Sequence, residues 1–281
     1  MVASAGLSRV NATDVGPELP VEIVGGLPIA VLDRARSARL MIDVAAARRN
    51  SQKPALVFTS ANGQVLSMCA HHSDIRQLFL DADLIHADGM PIVLASRLLS
   101  RNPLPERVAT TDLFHDVAKL AQSSGTTFYM LGGTNAIIEL AVRRVRALYP
   151  ALTIVGHGDG YFSRDQELEV IDKINRAQPD VLWLGLGAPA EQQFAMRNRD
   201  RLRRVGIVKT AGGLFDFLSG RARRAPKWMQ SAGLEWAFRT LLEPRRLAGR
   251  YIMTNPHALF LLATRTRNSP GYSAANGDVD V

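Results

Sequence analysis

A carboxylate directly follows an apolar, strand-like run in the segment DLIHADGMP, residues 83–91. The carboxylate is Asp88, and a glycine and a proline follow it within three residues. Burying an aspartate costs free energy unless the charge is paired, so an aspartate at the end of a strand usually has a specific task. Two tasks fit equally well. Asp88 could accept a proton from an attacking hydroxyl group, or it could cap the helix that MPIVLASRLL predicts.

Two other polar side chains, Arg107 after this segment and His86 within it, are candidates for the same chemistry. Arg107, in LPERVATTD, has the fork geometry to clamp a diphosphate, and the alternative is a surface ion pair. His86 is a neighbour of Asp88, but a partly buried strand histidine is the better interpretation. The chain has no GxSxG elbow and no Ser/His/Asp order typical of hydrolases.

Glycine-rich turns follow most of the apolar runs. They are SAN (60–62), DG (88–89), GGTN (132–135), GHGDGYF (156–162), GLGAPAEQQF (185–194) and AGGLFD (211–216). Glycine lets a backbone approach a ligand closely, and the N-terminus of a helix attracts phosphate. One such turn is typical of any fold, whereas several at one sheet edge favour a nucleotide or sugar-nucleotide site. Because GxGxxG after a first strand and GxxxxGK are both absent, the sequence disfavours NAD and ATP sites.

The elements that must position these turns alternate along the chain. Short apolar runs read ALVFT, FYMLG, LTIVG, VLWLG and GIVKT, amphipathic stretches follow them, and VEIVGGLPIAVLD precedes them as a strand or hairpin. Strands that are apolar on both faces and alternate with helices predict an α/β, Rossmann-like fold. Its sheet is mostly parallel, with helices on both faces.

The pattern changes near Ala222. We expect a flexible N-terminus (1–20), an α/β catalytic core (21–221), a basic helical appendage (222–265, the appendage) and a flexible tail (266–281). Within the appendage, the sequence predicts consecutive helices broken near Gly233, Pro244 and Pro256.

The charge of +8 is concentrated in one segment. Residues 221–250 hold eight Lys/Arg and two acids, which suggests an anionic partner: nucleic acid, anionic lipid or phosphate groups. No apolar run reaches the ~20 residues of a membrane span, and the first residues lack a signal-peptide layout, so we expect a cytoplasmic location. Cys69 is the single cysteine, and no Cys/His cluster has zinc-ligand spacing, so we expect a buried apolar Cys69, no metal site and no cofactor.

Eight motifs in order resemble the bacterial WecG/TagA/CpsF glycosyltransferase family. They are ADLIHADGMPIVLASRLL, LPERVATTDLF, FYMLGG, GDGYF, LWLGLGAPAEQQF, AGGLFDFLSG, RAPKWMQSAGLEWAFR and EPRRLAGRY, and the resemblance runs from about Val21 to Ala263. It implies an inverting transferase that needs no metal ion. Such an enzyme moves a sugar from a UDP-sugar to a polyprenyl-diphosphate-linked sugar at the inner face of the cytoplasmic membrane, in surface polysaccharide synthesis. Self-association is left open.

The resemblance also implies site residues. Asp88 would be the catalytic base, and Arg107 would hold the leaving diphosphate. The substrate-binding set is Ser60, Asn62, Gly132, Gly133, Tyr161, Glu191, Gln192 and Asp216, with Ser60 in place of a commoner threonine and a Glu-Gln order that leaves open which of the two contacts the donor. The appendage would contact the acceptor diphosphate and an anionic membrane through Arg239, Arg246 and Arg250, whose spacings of seven and four suit one helix face.

Two alternatives come from other functional classes. The basic segment could belong to a nucleic-acid-binding protein, although its Trp/Leu pattern suits a membrane interface better. A sheet of this kind also occurs in nucleotide-sugar dehydrogenases and epimerases, which the missing GxGxxG disfavours. The appendage itself could be a helical lid or an oligomer contact with ordinary solvated charges.

Overall fold

The computed structural model describes residues 19–267, except for the side chains of Arg246 and Arg250. The flexible segments expected at 1–20 and 266–281 therefore lie outside the described residues, apart from two positions of each.

The described chain begins with a β-hairpin. Strands β1 (Val21–Val24) and β2 (Leu27–Ala30) pair antiparallel across Gly25 and Gly26. Both glycines have positive φ, 60° and 88°, which a tight two-residue hairpin turn requires. Residues at the far end of the described chain close onto this hairpin. The amide of Gly26 donates to the Arg265 carbonyl at 2.9 Å, and the amide of Arg267 donates to the Ile23 carbonyl at 2.9 Å.

Six parallel strands form the central sheet. They are β3 (Leu56–Ala61), β4 (Leu84–Ala87), β5 (Phe128–Gly132), β6 (Ile154–Gly158), β7 (Val181–Gly185) and β8 (Ile207–Thr210), in the spatial order β4-β3-β8-β7-β5-β6. Every pairing in this sheet is parallel, so all the strand carboxyl ends lie at one edge.

Helices connect and cover the strands. They are α1 (Arg34–Arg48), α2 (Gly63–His71), α3 (Ser73–Leu80), α4 (Met90–Leu99), α5 (Thr110–Ser124), α6 (Asn135–Leu148), α7 (Glu167–Ala177), α8 (Ala190–Asn198) and α9 (Leu214–Leu218). One core cluster holds Phe58, Met130 and Trp183, and a second holds Val57 and Leu184. Because neighbouring residues of one strand enter different clusters, the sheet is buried on both faces, and the α/β, Rossmann-like prediction is confirmed.

The appendage contains three described helices: α10 (Lys227–Ser231), α11 (Glu235–Leu242) and α12 (Pro244–Thr264). Helix α12 packs on α2 and buries Ala258, Leu261 and Leu262. The expected break at Pro256 is wrong, since α12 continues through it. Pro256 removes one backbone hydrogen bond from the helix, and the burial of the apolar residues that follow it offsets this loss. None of the described helices has both the length and the apolar character to cross a membrane.

Candidate active site

The turns after the parallel strands enclose a cavity of about 540 Å³, which we name the sheet-edge cavity. Nine of the residues expected at a site line it: Ser60, Asn62, Asp88, Gly133, Tyr161, Glu191, Gln192, Asp216 and Arg239. These residues are far apart in the chain, and they meet because parallel strands bring their carboxyl ends to one edge of the sheet. The structure thus gathers most of the expected side chains around one space.

Gly132 lies next to this cavity, where the ends of β5 and β7 meet. Its φ is +147°, and a Cβ atom there would lie 2.2 Å from the carbonyl oxygen of Gly185. The ends of β5 and β7 therefore touch through their backbones, and Gly133, the next residue, lines the cavity. A side chain at position 132 would force these two strand ends apart.

Asp88 does not cap the helix that follows it. The N-cap of α4 is Gly89, which makes no side-chain cap bond, so the helix-cap interpretation is wrong. Instead, Asp88 Oδ2 accepts a hydrogen bond from Thr110 Oγ1 at 3.0 Å. Burial raises the pKa of the Asp88 carboxyl, while Arg107, Lys209 and the Thr110 hydroxyl oppose that rise. A raised pKa brings a carboxylate closer to the basicity that a proton acceptor needs near neutral pH.

A second cavity of about 300 Å³, which we name the appendage cleft, opens on the other side of Asp88. Its walls come from the core and from the appendage: Asp88, Met90, Pro91, Arg107, Glu235, Trp236, Arg239, Tyr251, Leu259 and Leu262. Asn62, Asp88 and Arg239 line both cavities. Asp88 therefore lies where a polar cavity meets a cleft with several apolar walls.

Arg107 is tied to the appendage by an ion pair. Its Nη1 lies 2.8 Å from Glu235 Oε2, and its side chain is only 13% exposed. Arg224 binds the other oxygen of Glu235 at 2.9 Å and also pairs with Asp112 at 3.1 Å. Gln230 Oε1 accepts from both guanidinium groups, at 3.2 Å from Arg107 and 2.6 Å from Arg224. The ion-pair interpretation of Arg107 thus holds, although the pair is mostly buried.

Lys209 is a candidate functional residue that the sequence patterns did not indicate. It lies in β8, the strand between β3 and β7, and is fully buried. Burial lowers the pKa of its ammonium group to about 8, against the opposing charges of Asp88 and Glu191. The signal was present in GIVKT, because a lysine inside a strand that is covered on both faces must be buried and needs carboxylates near it.

Glu191 and Gln192 have different partners. Glu191 Oε2 accepts from the backbone amides of Gly187 at 3.1 Å and Gly212 at 2.8 Å, so it holds two turns together. Burial raises its pKa. Gln192 Nε2 donates to Thr59 Oγ1 at 3.0 Å. Its Oε1 is buried and has no hydrogen-bond partner among the described residues, so this acceptor is unsatisfied in the structure.

Tyr161, Asp216 and Arg239 complete the lining of the sheet-edge cavity. Tyr161 is 78% exposed. The Arg239 guanidinium lies 5.6 Å from the ring centroid of Phe217, a cation–π distance. Asp216 lies in α9. The side chains of Arg246 and Arg250 lie outside what the structure describes.

The described residues offer neither a reactive thiolate nor a cluster of metal ligands. Cys69 is buried, and burial raises its thiol pKa to about 12, so it stays protonated near neutral pH. Within residues 19–267, no three or more His, Cys, Asp or Glu side chains converge as a metal site would require.

Comparisons with known proteins agree with the resemblance that the motifs carry. The chain matches the glycosyl transferase WecG/TagA/CpsF family over residues 21–271. Two relatives, from Bacillus subtilis (strain 168) and Bacillus spizizenii (strain ATCC 23059 / NRRL B-14472 / W23), are named N-acetylglucosaminyldiphosphoundecaprenol N-acetyl-beta-D-mannosaminyltransferase. The chain is 31% identical to the first over 195 residues, covering 69% of this chain and 75% of that relative. It is 32% identical to the second over 197 residues, covering 70% and 75%.

Proposed function

This chain belongs to the glycosyl transferase WecG/TagA/CpsF family, and we propose that it moves a sugar from a UDP-sugar to a polyprenyl-diphosphate-linked sugar with inversion. The relatives are named for transfer of N-acetylmannosamine to N-acetylglucosaminyl-diphosphoundecaprenol. The observation that carries the proposal is the position of Asp88 at the junction of the sheet-edge cavity and the appendage cleft. A base located there reaches a donor on one side and an acceptor on the other.

The sheet-edge cavity suits the UDP-sugar. Its volume of about 540 Å³ lies within the range of small-molecule sites, and glycine turns surround it. Gly133 and Gly213 offer backbone N–H groups to phosphate, whereas the Gly212 N–H is already bound to Glu191, and Tyr161 at the rim offers its ring to the uracil base. Because Glu191 is occupied by two backbone amides, Gln192 Oε1 is the better candidate for a sugar hydroxyl or amide.

The appendage cleft suits the lipid-linked acceptor. Trp236, Leu259 and Leu262 give it apolar walls, and Arg107 and Arg239 give it positive charge. An apolar wall beside two guanidinium groups matches a polyprenyl chain that carries a diphosphate.

In the proposed reaction, Asp88 takes the proton of the acceptor hydroxyl group. The acceptor oxygen then forms a bond to the anomeric carbon as the bond from that carbon to the UDP oxygen breaks. Attack from the face opposite to UDP inverts the configuration. The backbone amides of the glycine turns stabilise the charge that develops on the departing diphosphate, and the proposal needs no metal ion. Arg107, which the family resemblance assigns to this diphosphate, lines the appendage cleft and not the sheet-edge cavity, so we place its charge on the acceptor side.

An anionic membrane surface is the proposed location. Ile252, Met253, Leu259 and Phe260 of α12 are each at least 60% exposed, and their spacing places them on one helix face. Leu98 of α4 is 83% exposed. These apolar side chains, with the arginines of the appendage, fit a protein that lies on the inner face of the cytoplasmic membrane. The two alternative functions lack comparable support.

The first experiment measures sugar transfer from a panel of UDP-sugars to a polyprenyl-diphosphate-linked N-acetylglucosamine, with and without EDTA. We expect one donor to give product, unaffected by EDTA, and Asp88→Asn to lower kcat at least ~100-fold. The matched control is Asp172→Asn, at an exposed position of α7, which should keep full activity. Undiminished transfer by Asp88→Asn would overturn the assignment of the base, and dependence on a metal ion would overturn metal independence.

The membrane proposal has its own test. Flotation with vesicles that contain anionic lipid should bring the wild-type protein to the top of a gradient, and Ile252→Glu with Met253→Glu should lower the bound fraction several-fold. The matched control is Leu168→Glu, an exposed leucine of α7. Equal flotation of both variants would refute this surface. Binding to duplex DNA with the same salt dependence would instead favour the nucleic-acid alternative.

A further inference from the structure

Lys209 is a buried cation in the middle of the sheet, and the reaction described above does not use it. Its Nζ donates to Ser60 Oγ at 2.9 Å and to the carbonyl oxygen of its neighbour Thr210 at 2.8 Å. Replacing a whole buried set of paired charges by apolar groups of similar size is often neutral or favourable for stability. Packing alone therefore gives no reason for an ammonium group at this position.

Hydrogen bonds run from Lys209 to Asp88 through two hydroxyl groups. Ser60 Oγ lies 3.2 Å from Thr110 Oγ1, and Thr110 Oγ1 donates to Asp88 Oδ2 at 3.0 Å. An ammonium group can only donate, so Ser60 accepts from Lys209 and its own hydrogen is free to point to Thr110. The direction of every bond in this chain then leads towards the Asp88 carboxylate.

A hydrogen bond donated to a carboxyl group favours its ionised form, and a nearby cation does the same. We propose that Lys209 is a positioning residue that keeps Asp88 ionised, and so able to accept a proton, through Ser60 and Thr110. The inference rests on the proposed function, because it supplies the charge state that the catalytic base needs. It also gives Ser60 a role besides substrate contact, because its hydroxyl accepts from Lys209 and donates to Thr110 and so connects the ammonium group to Asp88.

Other charged groups near Asp88 and Lys209 also affect the ionisation of Asp88, some favouring the charged form and some opposing it. Arg107 favours the ionised form of Asp88, and Glu235 opposes it. Glu191 is a second carboxylate near Lys209. Burial, and after it the charge of Lys209, lowers the pKa of His86 well below its ordinary value. His86 therefore stays neutral. Lys209 is the cation that reaches Asp88 from beneath the cavity floor, whereas Arg107 reaches it from the appendage cleft.

The test measures the pKa of Asp88 directly. Protein labelled with ¹³C at the aspartate carboxyl carbons is titrated by NMR, and the Asp88 signal is identified by its loss in Asp88→Asn. In Lys209→Met we expect the pKa of Asp88 to rise by about one unit or more. Ser60→Ala, which keeps the cation but interrupts the relay, should give a smaller rise. Lys173→Met removes an exposed lysine paired with Glu169 and should leave the pKa unchanged.

A pH profile of transfer gives the second readout. Because Asp88 must be deprotonated, activity falls as the pH drops through its pKa, and this acidic limb should move to higher pH in Lys209→Met. A purely structural role would lower the rate equally at every pH. The proposal is overturned if the pKa of Asp88 is the same in Lys209→Met as in the wild type. If Lys209→Met does not fold, Ser60→Ala decides, and an unshifted Asp88 pKa in that variant overturns the proposal. The titration needs no substrate, so a wild-type protein without transfer activity overturns the proposed function alone.

Discussion

The two cavities beside Asp88 are built in different ways. The sheet-edge cavity is built on the backbone of strand ends and glycine turns, which carries the side chains that line it and leaves no room for a Cβ atom at Gly132. The appendage cleft has walls of long side chains from the core and from the appendage. The ion pairs Arg107–Glu235 and Arg224–Asp112 join these two segments. Backbone walls are fixed once the sheet forms, whereas side-chain walls can rearrange. The comparison suggests a preformed site for one substrate and an adjustable site for the other.

The largest effect should come from the backbone wall. Gly132→Ala would bring a Cβ atom to 2.2 Å from the Gly185 carbonyl oxygen, and we expect the free energy of unfolding to fall by about 3 kcal/mol and UDP binding to weaken. Urea unfolding and UDP titration measure both. The control is Gly125→Ala, where φ is also positive but no atom lies within 4 Å, so the cost should be about 1 kcal/mol. Equal losses in the two variants would mean that close packing at Gly132 contributes nothing.

A smaller effect should follow from loosening the side-chain wall. Glu235→Gln removes the charge that both Arg107 and Arg224 contact, so we expect amide exchange in α11 to accelerate about tenfold while UDP binding stays unchanged. Hydrogen-exchange mass spectrometry measures the first quantity. Glu169→Gln breaks an exposed pair with Lys173 and is the matched control. A weaker UDP affinity in Glu235→Gln would contradict the separation between the two cavities.

The smallest effect concerns the attachment of α12 to α2. The rings of His71 and His257 lie 4.4 Å apart, and His257 Nδ1 lies 2.9 Å from Ser67 Oγ. Burial, His71 and Arg265 lower the pKa of His257 below its ordinary 6.5, so the folded state binds this proton less readily than the unfolded state. Stability from this contact is therefore present above pH 6.5 and is lost as the pH falls below it.

We expect amide exchange of α12 to rise between pH ~7.5 and ~5.5 beyond its intrinsic pH dependence, and His257→Gln to remove that rise. The control is His72→Gln, at an exposed position beside the pair. An unchanged pH dependence in His257→Gln would assign the effect to another group.

The sequence predicted the backbone-walled region better than the side-chain-walled one. Apolar runs and glycine turns are local signals, and they were sufficient for the parallel sheet and the placement of Asp88 at a strand end, while they left open whether residues 21–33 form one strand or the hairpin that the structure shows. The pairing of Arg107 with Glu235 joins residues 128 positions apart, and no local pattern encodes it. The continuity of α12 through Pro256 depends on burial against α2, which is likewise a tertiary effect.

Lys209 was missed for a different reason. Its strand is short and otherwise apolar, so the sequence identified the strand correctly and gave the lysine no separate weight. Only the structure brings Ser60, Thr110 and Asp88 to its ammonium group. A charged residue inside a strand that both faces of a sheet bury deserves the same scrutiny as a polar residue at the strand's end.

The closure of the hairpin by Arg265 and Arg267 bears on how the chain is made. A ribosome synthesises β1 and β2 early, and they can pair with each other, but the residues that hydrogen-bond to the turn and to Ile23 emerge more than 230 residues later. At the usual ~5–20 residues per second, the hairpin edge stays open for at least ~10 seconds, and an open strand edge can pair with another chain. The fold therefore closes only when residues 265–267 leave the ribosome, and folding factors have the greatest opportunity to act on the nascent chain before that moment.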